Sequence, residues 1–82
     1  MVITPNFVQV DAGSLVQLST NAPDTLFSQV RWESRNPLIA TVSPTGLVTT
    51  LTPGTATISA HYTFDPLNIA FATVTVTSVG NP

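Results

Sequence analysis

Eighty-two residues, 43% hydrophobic and 7% charged, are enough for one small domain with an apolar core and carry too little charge for a disordered segment. The net charge is −2 and the only formal cations are Arg31 and Arg35, which excludes nucleic-acid binding and a polybasic membrane anchor. There is no cysteine, so disulfides, thiolate chemistry and cysteine-ligated metals are excluded, and no apolar run is long enough to span a membrane.

The first residues, Met1-Val2-Ile3-Thr4-Pro5, lack the basic and apolar regions of a signal peptide. Val2 to Thr4 reads as a short strand stopped by Pro5, and Phe7 to Val10 resumes it with Val8 and Val10 on one face. A proline between half-strands suits a sheet edge, where a missing N–H is tolerated. Asp11-Ala12-Gly13 turns the chain into a strand over Ser14 to Thr20, with Val16 and Leu18 opposite Gln17 and Ser19. A loop from Asn21 to about Ser28 precedes the strand Val30 to Ser34, in which Val30 and Trp32 point inward and Arg31 and Glu33 outward.

Asn36-Pro37 breaks that strand. Ile39 to Ser43 follows, with Ala40 and Val42 facing the core. Pro44-Thr45-Gly46 reads as a tight turn in which Gly46 is free to take positive φ, and Leu47 to Leu51 returns. After Pro53-Gly54, Thr55 to Phe64 alternates longest, with Ala56, Ile58, Ala60 and Tyr62 on one side. Asp65-Pro66-Leu67-Asn68 makes a hairpin loop into Ile69 to Thr77, with Ala72, Val74 and Val76 inward and Thr73, Thr75 and Thr77 as a neutral outer row. About seven strands and no helical periodicity give two packed antiparallel sheets with Greek-key links. The chain is expected to be a single domain over 1–82, and its closing Gly80-Asn81-Pro82 suggests a module excised from a larger protein.

Trp32-Glu-Ser-Arg-Asn36-Pro-Leu-Ile-Ala-Thr-Val-Ser-Pro-Thr-Gly46-Leu-Val-Thr, followed by Pro53-Gly-Thr-Ala-Thr-Ile-Ser-Ala60, carries a recognisable pattern. It continues upstream in Ile3-Thr4-Pro5, Val8-x-Val10 and Val16-Gln17-Leu18, and ends in Thr73-Val74-Thr75-Val76. The chain thereby resembles the bacterial Ig-like domains of group 2 over nearly its whole length. The resemblance implies an immunoglobulin-like antiparallel β-sandwich, agreeing with the alternation. It also implies a non-catalytic structural or adhesion module of a larger bacterial cell-surface protein, of the intimin or invasin type, or of a phage tail or head. The alternative is a dedicated weak ligand-binding module for surface glycan or calcium. Two departures stand out: Thr50, where the family often has glycine, hints at a changed strand twist, and the hairpin from His61 to Phe71 is longer and more aromatic than usual.

No residues are read as catalytic, cofactor-binding or metal-binding. Trp32 alternates inward and is assigned to the core between Leu18 and Ile58, its indole N–H needing an acceptor. His61, the single histidine, faces outward and lacks partners for a triad or a zinc site. Asp11, Asp24 and Asp65 sit in separate turns, and without clustered oxygen ligands even the weak calcium site conceivable at Asp24 or Asp65 is disfavoured. Arg31, Glu33 and Arg35 share a face as a surface ion-pair ladder, or as an arginine contact site. The candidate partner contacts are Phe71, Tyr62, Phe64, Arg31 and Arg35, with Phe71 foremost unless a bulge turns it inward. The expected partners are neighbouring domains of the parent protein and, in the alternative, a host surface or glycan. No cofactor, nucleic acid or membrane insertion is expected, and the isolated module should be monomeric.

Overall fold

The computed structural model describes residues 1–78, without the side chains of Asp24 and Phe27; the closing Gly80-Asn81-Pro82 lies outside the described residues. The strands are β1 (Ile3–Thr4), β2 (Phe7–Asp11), β3 (Leu15–Gln17), β4 (Ser19–Thr20), β5 (Val30–Ser34), β6 (Ala40–Val42), β7 (Leu47–Thr50), β8 (Gly54–Tyr62) and β9 (Asp65–Thr77). One sheet has the order β2-β9-β8-β5 and the other β3-β7-β6, with β1-β4 continuing the latter, because β4 follows β3 across Leu18. Consecutive strands cross between layers at β1–β2, β2–β3, β4–β5, β5–β6 and β7–β8, which is the immunoglobulin-like sandwich expected from the alternation.

The opening strand divides as Pro5 requires. β1 pairs antiparallel with β4, and β2 pairs parallel with β9, the Thr4–Pro5 bond between them being cis. The expected single strand over Ser14 to Thr20 is instead two. Leu18 N donates to the Gly46 carbonyl (2.9 Å), while Gln17 Nε2 donates to the carbonyls of Leu18 (2.8 Å) and Thr45 (3.0 Å). Part of the expected loop from Asn21 to Ser28 is a short 3-10 helix at Asp24–Gln29.

The core lies where the two layers face each other. Ala56, Ile58, Ala60, Ala72, Val74 and Val76 meet Ile3, Val16, Leu18, Ala40 and Val48, all buried as their alternation requires. Burial of each larger aliphatic side chain contributes about 2 kcal/mol. The body is long and narrow, 46 × 19 × 17 Å.

The last hairpin departs from expectation. Its turn is Thr63–Phe64, and β9 already begins at Asp65, opposite Tyr62. Farther along, Ile69 pairs with His61, so Pro66, Leu67 and Asn68 have no partners on β8 and form a bulge. The segment read as the hairpin loop is therefore an irregularity inside β9. Phe71 lies beyond it and keeps its outward direction, 49% exposed.

Candidate interaction surface

Much of the resemblance-bearing segment builds the fold. Asn36 Oδ1 accepts from Thr57 N on β8 (2.9 Å), Ser34 Oγ donates to the Ala40 carbonyl, and the same oxygen accepts from Asn36 N (3.2 Å). These bonds turn the chain from β5 toward β6 while satisfying backbone groups at the corner. Ser43 Oγ accepts from Leu47 N (3.1 Å) and from Thr45 N (3.3 Å) in the next turn. Gly46 has φ of 88° there, and a Cβ at that position would lie 2.7 Å from the Leu18 carbonyl oxygen and 2.8 Å from Trp32 Cζ2.

Thr50 pairs with Ala40 at the end of β7. Its hydroxyl is buried and lies 3.2 and 2.9 Å from the carbonyl oxygens of Asp11 and Ser14, while Gly13 N donates to the Thr50 carbonyl (3.1 Å). The Thr50 side chain fastens the turn between β2 and β3.

Trp32 points inward and packs on the core, but it is half-buried rather than enclosed. It stands on β5, an edge strand of the four-stranded sheet, so neighbours cover it incompletely. Among the hydrogen bonds of the described residues, none uses its indole N–H. Two shallow clefts flank the ring: one of about 300 Å³ toward Gln17, Ser19 and Thr45, the other of about 270 Å³ toward Ser28, Arg31 and Thr63.

Three contact candidates come together on the outer face of the four-stranded sheet. Across it run the rows Arg31–His61–Ile69 and Glu33–Ser59–Phe71. Arg35 does not complete an ion-pair ladder with Glu33; its Cζ sits 5.2 Å from the centroid of the Phe71 ring. Ser59, on the same face as His61, is buried, and His61, which was expected to face outward, is half-buried. Phe7, 61% exposed, joins this face because parallel pairing sets it opposite Thr73, two residues from Phe71. The signal that could have found it was its alternation with Val8 and Val10, which already turned it outward.

Tyr62 and Phe64 lie elsewhere, at the hairpin pole. Tyr62 is buried with the inner row; Phe64 stacks on it at 5.0 Å between ring centroids and is 61% exposed. Leu67, not singled out from the sequence, is 91% exposed on the bulge. Among the described residues no group of three or more histidine and acidic side chains could hold a metal ion, and Asp11 is engaged by Thr77 Oγ1 (2.8 Å).

The family model described as "Bacterial Ig-like domain (group 2)" matches residues 1–62, that is, β1 through β8. The match stops at the hairpin, a narrower span than the resemblance read from the sequence. Among solved structures, the chain is similar to "Structure of surface layer protein SbsC, domains 1-6", with 30% identity and a TM-score of 0.56. That similarity covers 74% of this chain and 8% of the other, so the chain spans a small fraction of its relative's length. Comparison with curated proteins finds no match. With the family model running through eight of the nine strands and the two-layer topology in place, the chain belongs to the group 2 bacterial Ig-like domains.

Proposed function

We propose that the domain is a non-catalytic structural module of a larger bacterial surface protein, holding its neighbours at a fixed separation. One observation carries this reading: the first strand begins and the last strand ends toward opposite ends of a body 46 Å long. β1 starts beside the β8–β9 hairpin, where the Met1 nitrogen donates to Asn68 Oδ1. β9 ends at the far pole, where the Thr77 carbonyl accepts from Ala12 N (2.8 Å). Repeating such a unit extends a polypeptide instead of folding it back. The surface-layer relative favours a cell surface over a phage virion.

The test is exchange within the parent protein. Replacing the domain by an unrelated Ig-like domain of the same end-to-end length should preserve surface display and attachment, whereas a flexible linker should impair them. Loss of attachment with the length-matched substitute would reject the spacer role.

A second reading, weak glycan binding, is favoured by the half-buried Trp32 between its two clefts. Titration with neutral oligosaccharides should then quench or shift Trp32 fluorescence at millimolar ligand. An unchanged spectrum across a panel would sink that reading.

A further inference from the structure

β5 closes one side of the four-stranded sheet, and among the described residues no strand pairs with its outer edge. The ladder to β8 fixes which backbone groups face that edge. Thr63 N donates to the Gln29 carbonyl (2.8 Å) and Arg35 N donates to the Thr57 carbonyl (2.9 Å), so the odd-numbered residues of this register bond to β8. The N–H and C=O groups of Val30, Trp32 and Ser34 therefore point away from β8, and no hydrogen bond of the described residues uses them. Shallow clefts on both sides of Trp32 keep the space beside this edge open. Edge strands ordinarily resist pairing through a proline, a bulge or an inward charge. β5 has none of these: its register with β8 is unbroken from Val30 to Ser34, and its charged side chains, Arg31 and Glu33, are exposed on the outer face.

The same residues read as their own complement. When β5 is laid antiparallel on β5 of a second copy, centred on Trp32, Val30 meets Ser34, Trp32 meets Trp32, and each Arg31 meets the Glu33 of the other copy. The edge-facing residues become the hydrogen-bonded pairs, each able to exchange both N–H···O bonds. The Arg31–Glu33 pairs then fall at the closer, non-hydrogen-bonded spacing of about 4.5 Å between Cα atoms. Opposite charges placed directly across a strand pair attract. The domain's net charge of −2 does little to hold two copies apart. Other open edges lack this pattern: β2 carries Asp11 as its single charge, and β6 carries none.

We propose that β5 is a self-association edge, at which two copies of this domain pair antiparallel and join their four-stranded sheets into one. The same patch serves both copies, so the contact closes at a dimer. On the inner face each half-buried Trp32 gains cover from its twin. The pair takes the place of the monomer expected from the sequence. It goes beyond the spacer reading and does not rest on it.

The experiment is sedimentation of the isolated chain from about 10 μM to about 1 mM, a range that captures a weak dimer. The average mass should rise toward twice that of one chain. Amide exchange should slow with concentration at Val30, Trp32 and Ser34, and much less at Arg31 and Glu33, which β8 already protects. Glu33→Arg and Arg31→Glu, each at an exposed position, set like charges across the strands and should weaken pairing by about tenfold or more. Mixing these two variants restores opposite charges and should restore the dimer, as should both substitutions in one chain, which shows that neither variant has merely misfolded. A monomer at every concentration, pairing that ignores charge reversal, no recovery on mixing, or protection confined to strands other than β5 would each overturn the proposal. A monomer whose edge amides instead shift on adding an unrelated β-strand peptide would assign the edge to a foreign strand and overturn it too.

Discussion

The corner and turns from Ser34 to Gly54 and the hairpin from Tyr62 to Asn68 are finished in opposite ways. In the first region polar side chains are taken up by backbone: Asn36 on Thr57 N, Ser43 on Leu47 N, Thr50 on the carbonyls of Asp11 and Ser14. In the second, Phe64 is stacked on Tyr62 and left open above, and Leu67 stands open on an unpaired bulge. The family match includes the first region and stops at Tyr62, before the turn and bulge of the second. The difference separates what makes the fold from what a fold can lend to a partner. A motif whose polar atoms are spent on its own backbone has few left for a ligand.

The sharpest way to break that comparison is at Gly46. Its positive φ and its contacts with Leu18 and Trp32 leave no room for a methyl group. Gly46→Ala should cost about 3 kcal/mol, combining backbone strain with overpacking. Urea unfolding should show this as a lower midpoint, with native Trp32 fluorescence shifted because the ring must move. A loss below about 1 kcal/mol would mean that this turn yields easily and is not part of a rigid frame.

Next in size is Thr50. Thr50→Val keeps the volume and removes the hydroxyl facing the β2–β3 turn. A loss of about 1–2 kcal/mol is expected in the same unfolding measurement, since a buried hydrogen bond is lost without replacement. Amide exchange at Gly13 and Ser14 should quicken selectively. Unchanged exchange there would show that the hydroxyl does not hold the turn.

Alternation was sufficient to assign the core, because period-two burial depends only on neighbouring residues. Val16 and Leu18, Ala56, Ile58 and Ala60, and Ala72, Val74 and Val76 all went inward as expected. What escaped depends on information outside the local pattern. Trp32 points inward, but its half-exposure follows from β5 being an edge, a property of strand order. Phe7 meets the Phe71 face through parallel pairing across most of the chain length. The Thr63–Phe64 turn lacks the Gly or Asn that marks tight hairpins, while the Asp-Pro stretch after it imitates a loop. The turn signal was real but belonged to a bulge.

The Arg35–Phe71 pair tests whether the outer face adds to the frame. Arg35→Ala should cost about 0.5 kcal/mol, the size of an exposed cation–π contact. A double-mutant cycle with Phe71→Ala should return a coupling of about that size, and salt should weaken it only modestly. Zero coupling would place both side chains among groups free for a partner.

The smallest expected effect is the most informative about the hairpin. Leu67→Ser in the isolated domain should leave stability within about 0.5 kcal/mol, because a side chain 91% exposed on an unpaired bulge gives up little burial. Denaturant midpoint and slope should both match the unsubstituted domain. A clear loss would show Leu67 to be covered in the free domain, returning the bulge to the fold and removing the contrast with the Ser34–Gly54 region. Equal stability would instead leave the bulge outside the fold's own support, and the contrast would stand.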